Sequence, residues 1–115
     1  MRIYEGKRTA AGPVVTVRYG IEASRLPLDP RFDLRNHSPD GFNWGYGGSG
    51  PAQLALALLA DALRNDHYAQ LWYQDFKFQV VAAWLCDDFV ISDEEIKNWF
   101  MAAAKKELFG ENRGG

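Results

Sequence analysis

Two kinds of hydrophobic spacing divide the chain. Near its start, apolar residues come in short β-branched or alternating runs, Arg2-Ile3-Tyr4-Glu5 and Val14-Val15-Thr16-Val17-Arg18. That is the pattern of half-buried strands. The two runs flank a turn segment containing Gly12-Pro13, and a β-hairpin is the simplest way to pair them. Gly20 ends the second run, and Ile21 to Leu28 offers one more short extended piece before Pro27 and Pro30 interrupt it. Two or three antiparallel strands follow, with one apolar face to be covered.

From Pro51 onward the spacing becomes helical. The segment 52–63, AQLALALLADAL, is polar only at Gln53 and Asp61, so this helix is apolar nearly all round and belongs at the centre of the domain. Proline suits its first turn because the N–H it lacks would have no partner inside the helix, and Ser49 or Gly50 is the expected cap. A second helix is predicted over 67–85, with Ala69, Trp72, Phe76, Val80 and Ala83 on one face and Gln70, Asp75, Lys77 and Gln79 on the other. The third has the clearest start: Ser92 with Glu95 three residues on forms a capping box, and Asp93 and Glu94 suit the positive end of the dipole. Ile96, Trp99, Phe100 and Ala103 make its stripe, Lys105 and Lys106 suit its other end, and Gly110 is the predicted stop, followed by a frayed tail over 111–115. The predicted fold class is α+β: a small N-terminal antiparallel sheet of two to three strands packed on three C-terminal helices, the first central and buried. The expected divisions are a strand-rich region over 1–36, a loop over 37–50, a helical region over 51–110 and a tail over 111–115.

A length of 115 residues holds one core, so a single domain, 1–115, is expected. The lone Cys86 forms no internal bridge. No run approaches 18 apolar residues and the start of the chain is charged, which predicts a soluble, cytoplasmic protein with no membrane partner. The net charge of -2, from 13 basic and 15 acidic residues, argues against nucleic acid as a partner. The charge is polarised: residues 1–39 carry seven basic and four acidic side chains, +3, and the remainder six and eleven, -5. Asp87, Asp88, Asp93, Glu94 and Glu95 concentrate the acids as a solvated loop and helix start, or as a patch for a basic partner.

The segment joining sheet to buried helix, His37 to Pro51, holds five of the eleven glycines. Glycine is costly to order, so this density points to backbone with positive φ or in close approach to something else. Gly45-Tyr46-Gly47-Gly48-Ser49-Gly50 matches G-x-G-x-x-G formally, but no long strand precedes it, and Pro51 stands where a Walker loop has its lysine. His37, Ser38 and Asp40 have the residue types of a hydrolytic triad, yet they lie within four positions of one another on a β-turn sequence, Ser38-Pro39-Asp40-Gly41, whereas triads converge from separate elements. Two histidines thirty residues apart and one cysteine do not make a zinc site. No catalytic residue, metal or cofactor is expected. Of the four tryptophans, Trp72 and Trp99 fall on helix stripes, and Trp44 and Trp84 are expected to be partly exposed.

The run HSPDGFNWGYGGSGPAQLALALL over 37–59, together with Tyr4-Glu5-Gly6, Leu26-Pro27-Leu28, Tyr73-Gln74-Asp75-Phe76-Lys77 and Ile91-Ser92 to Ile96 followed by Trp99, resembles a family of small bacterial, phage or plasmid proteins carried as a domain of unknown function. The resemblance implies a mobile-element setting and no assigned activity. The leading expectation is a non-enzymatic interaction protein that binds, and inhibits, a host or defence complex such as a CRISPR system. Its expected surface uses Arg31, Arg35, His37, Trp44, Tyr46, Asp87 and Asp88. The alternative is a phosphate- or nucleotide-binding module in which Gly47, Gly48, Ser49 and Gly50 donate backbone N–H groups at the helix start and Arg35 adds charge.

Overall fold

The alternation of the first nineteen residues folds as the expected hairpin in this computed structural model, which describes residues 1–21 and 24–109. β1 (Arg2–Thr9) and β2 (Gly12–Tyr19) pair antiparallel from Arg2↔Tyr19 to Thr9↔Gly12. The turn lies at Ala10-Ala11, so Gly12 and Pro13 open the second strand. Thr9 Oγ1 donates to the Gly12 carbonyl at 2.7 Å and accepts from Ala11 N at 3.2 Å. Tyr4, Gly6, Val15 and Val17 are buried on the inner face.

The sheet has four strands, in the order β3-β2-β1-β4, and so exceeds the two or three expected. β3 is only Leu26–Pro27, paired with β2. β4, Asp88–Ser92, pairs antiparallel with β1 from Ile3↔Ser92 to Lys7↔Asp88. It comes from the segment whose acids suggested a loop. Only Phe89, Ile91 and Ser92 are buried there, and so few apolar positions beside two aspartates are a faint signal. Phe89 lies over Gly6 on the neighbouring strand, where any Cβ would collide with its ring.

α1 (Ser49–Leu63) is the buried rod: twelve of its fifteen residues are buried, Gln53 among them. It starts two residues before Pro51, with Gly48 as N-cap, and closes through Arg64 in the left-handed region, whose N–H bonds to Ala60 O at 3.2 Å. It shares one core with Tyr4, Val15, Val17, Phe89 and Ile91 of the sheet. Its other polar residue, Asp61, accepts a 2.5 Å hydrogen bond from the Tyr4 hydroxyl. Burial, reinforced by that bond, pushes the phenol well above its usual range.

α2 (Asp66–Gln79) begins at Asn65, which accepts from Tyr68 N at 2.9 Å. It stops six residues short of the expected end. Val80 leaves the helical region at φ -121°, and a short 3-10 turn, Val81–Ala83, carries the chain toward β4. Consecutive β-branched residues favour that exit. α3 (Asp93–Phe109) starts with the predicted capping box: Ser92 Oγ accepts from Glu95 N at 3.1 Å, and Glu95 Oε1 accepts from Ser92 N at 3.2 Å. α2 and α3 meet through aromatic rings, Phe76 on Trp99 at 5.0 Å and Tyr68 on Phe100 at 5.5 Å. The last turns of α3 are exposed at Met101, Leu108 and Phe109. The predicted stop at Gly110 and the tail 111–115 lie outside the described residues. No helix among the described residues is long and apolar enough to cross a membrane.

Candidate functional site

The loop 37–50 is built from three anchors. The first is Gln53, one turn into α1. Its Oε1 accepts from His37 N at 2.7 Å and Ser38 N at 3.2 Å, while its Nε2 donates to the carbonyls of Pro30 at 2.6 Å and Arg35 at 2.9 Å. Those four bonds exhaust what a carboxamide can make, so a fully buried polar side chain fixes the main chain on both sides of Arg35. The predicted β-turn follows, with Gly41 N bonded to Ser38 O at 3.1 Å.

Arg8 of β1 is the second anchor. Its guanidinium donates to Asn43 Oδ1 at 3.0 Å, Trp44 O at 2.8 Å and Cys86 O at 3.1 Å, and its Cζ lies 4.5 Å from the centroid of the Trp44 ring. Trp44 is fully buried, which corrects the expectation of partial exposure. Its indole N–H donates to Cys86 O at 3.0 Å and its ring meets Phe89 edge-on at 4.9 Å, so the packing of β4 draws it inward. Trp84, stacked on Phe89 at 4.3 Å, is half-buried.

The third anchor is the close approach that the glycine density suggested. Gly45, at φ +88°, bonds through its N–H to Val81 O at 3.1 Å, and a Cβ there would sit 2.8 Å from the Trp84 carbonyl oxygen. Gly47 lies against the ring of Phe78, Gly48 beneath the ring of Tyr46, and Gly50 against Asn43. Side chains and backbone of the protein itself occupy the space that these glycines open.

The sequence-predicted residues fall into separate groups. Arg31 is held away from the loop in a tight carboxylate cluster. At φ +58° it donates to Asp66 at 2.7 and 2.9 Å and to Asp33 at 3.0 Å, which raises its own pKa and lowers theirs. A cavity of about 360 Å³ opens beside it at the far end of α1, walled by Asp29, Asp61 and Arg64. Trp44 and Asp87 gather where the loop crosses the α2–β4 connection, and Arg8 ties Asp87 in at 3.4 Å, while Tyr46 folds over Gly48 toward the start of α1. Asp88 is exposed at the start of β4. Tyr46 is 49% exposed, and in the α2–β4 region Phe78 is 64% and Leu85 81% exposed. Phe78 lies against Gly47, and Leu85 follows Trp84, whose carbonyl meets Gly45, but neither stood out in the sequence.

At the start of α1, a cavity of about 270 Å³ is lined by Ser38, Asp40, Asn43, Tyr46, Ser49 and Gly50, among others. Its wall includes a carboxylate, Pro51 has no N–H to offer, and the Ala52 N–H is already bonded to Gly48 O at 3.1 Å.

Arg35 and His37 belong to a different group, against α2. His37 Nε2 shares a 2.6 Å hydrogen bond with the Tyr73 hydroxyl. Lys77, one turn beyond Tyr73, is 7% exposed, with its Nζ 4.0 Å from the centroid of the Phe78 ring. Burial, then the nearby charges of Arg35 and Lys77, hold the imidazole below its ordinary 6.5. The expected outward face of α2 thus has one member turned inward. The row Ala69, Tyr73, Lys77 at spacings of four was the signal for it.

No curated protein and no solved structure matches the chain. One family profile matches residues 4–102, a span running from β1 into the exposed end of α3 and taking in every anchor of the loop. On that match the chain belongs to the family of unknown function DUF6166.

Proposed function

We propose that this protein acts as a non-enzymatic interaction module that docks a protein partner on the face where the 37–50 loop crosses the α2–β4 connection. The observation that carries this reading is the exposure of three large apolar side chains in the loop and the α2–β4 region, Tyr46, Phe78 and Leu85. The loop beside Tyr46 is clamped by Arg8 on Trp44 O and by Gly45 on Val81 O, and Phe78 lies against Gly47. Large apolar groups on a rigid support lose little entropy when covered, and aromatic anchors dominate the energetics of interfaces. Asp87, 83% exposed in its side chain, and Asp88 edge this surface with negative charge. The partner that fits offers an apolar depression with basic residues at its margin. The mobile-element setting implied by the sequence resemblance makes a host or defence complex the first partner to try.

The test is affinity capture from a bacterial lysate with the wild type and four variants. Tyr46→Ala, Leu85→Glu and the double change Asp87→Lys with Asp88→Lys are expected to lose the captured protein. Leu108→Glu, on the exposed end of α3, is expected to retain it. Capture that survives all three changes at the Tyr46 face would overturn the assignment.

A further inference from the structure

We infer that the cavity at the far end of α1 binds a small zwitterion, an aliphatic α-amino acid, with its ammonium group on Asp29 and its carboxylate on Arg64. This site is separate from the protein-docking face and does not rest on that reading. A volume of about 360 Å³ is in the range of small-molecule pockets, and three segments converge on it: residues 28–31, the last two turns of α1 and the start of α2 at Asp66. Leu28, Ala57 and Ala60 give it an apolar lining, and charged side chains complete the wall.

The partners of those charged groups decide which of them can serve a ligand. Asp66 and Arg31 cancel each other: both Asp66 oxygens accept from the Arg31 guanidinium, at 2.7 and 2.9 Å, and Asp33 takes two more bonds from it. Asp61 is engaged by the Tyr4 hydroxyl at 2.5 Å and lies 3.7 Å from Arg2 Nε. Asp29 holds only the Arg31 main-chain N–H, at 2.9 Å, and the Arg64 guanidinium has no hydrogen bond or ion pair among the described residues. A free carboxylate and a free guanidinium thus wall one cavity without bridging each other. Arg64 carries a further mark. It caps α1 at φ +54°, in the left-handed region where glycine is the ordinary residue and a Cβ is costly. Arg31, at φ +58°, is the other non-glycine residue with positive φ among the described residues, and it lines the same cavity. Backbone outliers of this kind gather at ligand sites.

The ligand class follows from the charges left over. The guanidinium fork matches a carboxylate through two parallel hydrogen bonds, and a carboxylate accepts from an ammonium group. A plain amine would leave Arg64 unmatched, and a plain acid would leave Asp29 unmatched. A phosphate would stand against the carboxylates of Asp29, Asp61 and Asp66. An aliphatic side chain would cover Leu28, Ala57 and Ala60.

The experiment is isothermal titration calorimetry with L-leucine, with 3-methylbutylamine, which lacks its carboxylate, and with 4-methylpentanoate, which lacks its ammonium group. Saturable heat is expected with leucine, and binding at least about tenfold weaker with each of the other two. Arg64→Gln removes the cation, and Asp29→Asn removes the negative charge while keeping an acceptor for the Arg31 N–H. Each is expected to weaken leucine binding by about tenfold to a hundredfold. Tyr46→Ala, on the docking face, is expected to leave it unchanged. Absence of saturation with leucine, equal binding of the amine, or unaltered affinity in Arg64→Gln with its fold intact by circular dichroism would overturn the site.

Discussion

At the scale of single residues, Gln53 decides whether the loop has a shape. Replacing it with leucine keeps the volume and leaves two N–H groups and two carbonyls without partners in a buried setting, where each orphan costs about 1–3 kcal/mol. Partial relaxation will recover some of this, so a loss of about 4 kcal/mol in urea denaturation is the expected result. His37 governs the response to mild acid. Its folded pKa lies below the ordinary 6.5, so below that pH the unfolded chain takes up the proton first and stability falls as the pH drops. Glu5, held down by its bond to Arg18, and Asp33 and Asp66, held down by Arg31, give a second decline as the pH falls through their ordinary values of 4.5 and 3.8. Denaturation midpoints at pH 7.5 and 5.5 are expected to differ for the wild type and to converge in His37→Asn, with the decline below pH 4.5 retained. Of these residues the sequence showed Gln53 only as a polar break in an apolar helix. Its partners, the main-chain groups of 30–38, have no side-chain signature to announce them.

At the scale of elements, what could be read from the sequence depended on whether a signal was local. The capping box of α3, the hairpin and the burial of α1 were legible because each follows from residues a few positions apart. β4 was not, because its identity depends on Gly6, more than eighty positions earlier, leaving room for Phe89. The end of α2 is not legible because the aromatic and apolar residues continue past Gln79 while the helical backbone does not. The helix stripe was legible only in part: Phe76 and Ala69 are buried as expected, but the buried row also takes in Tyr73 and Lys77. Two predictions belong here. Ser92→Ala removes the acceptor for Glu95 N and is expected to cost about 1 kcal/mol, measured by chemical denaturation. Gly6→Ala brings a methyl group into the Phe89 ring and is expected to destabilise the fold by several times as much as an exposed strand substitution, with β4 amides losing hydrogen-exchange protection before those of β2.

At the scale of the whole molecule, the asymmetry seen in the charge count has a structural counterpart. The basic residues near the start of the chain are largely paired internally: Arg18 and Arg25 on Glu5, Arg31 on Asp66, Arg2 near Asp61 and Asp93. Charge legible in the sequence as an available surface is therefore in good measure holding the fold together, and Arg35 with Lys77 is what remains around the loop. The body measures 49 × 31 × 28 Å, and the exposed end of α3 carries Leu108 and Phe109 with most of their surface in solvent. Changing both to glutamate is expected to alter stability by no more than about 0.5 kcal/mol, read from the thermal midpoint. One ring links the beginning of the chain to its last third. Phe89 lies between the indoles of Trp44 and Trp84 and covers Gly6, so the fourth strand, the loop and the first strand share a single optical environment. Any event that lifts that strand will expose Trp44 to water and shift its emission to longer wavelength, so the protein reports its own opening without an attached dye.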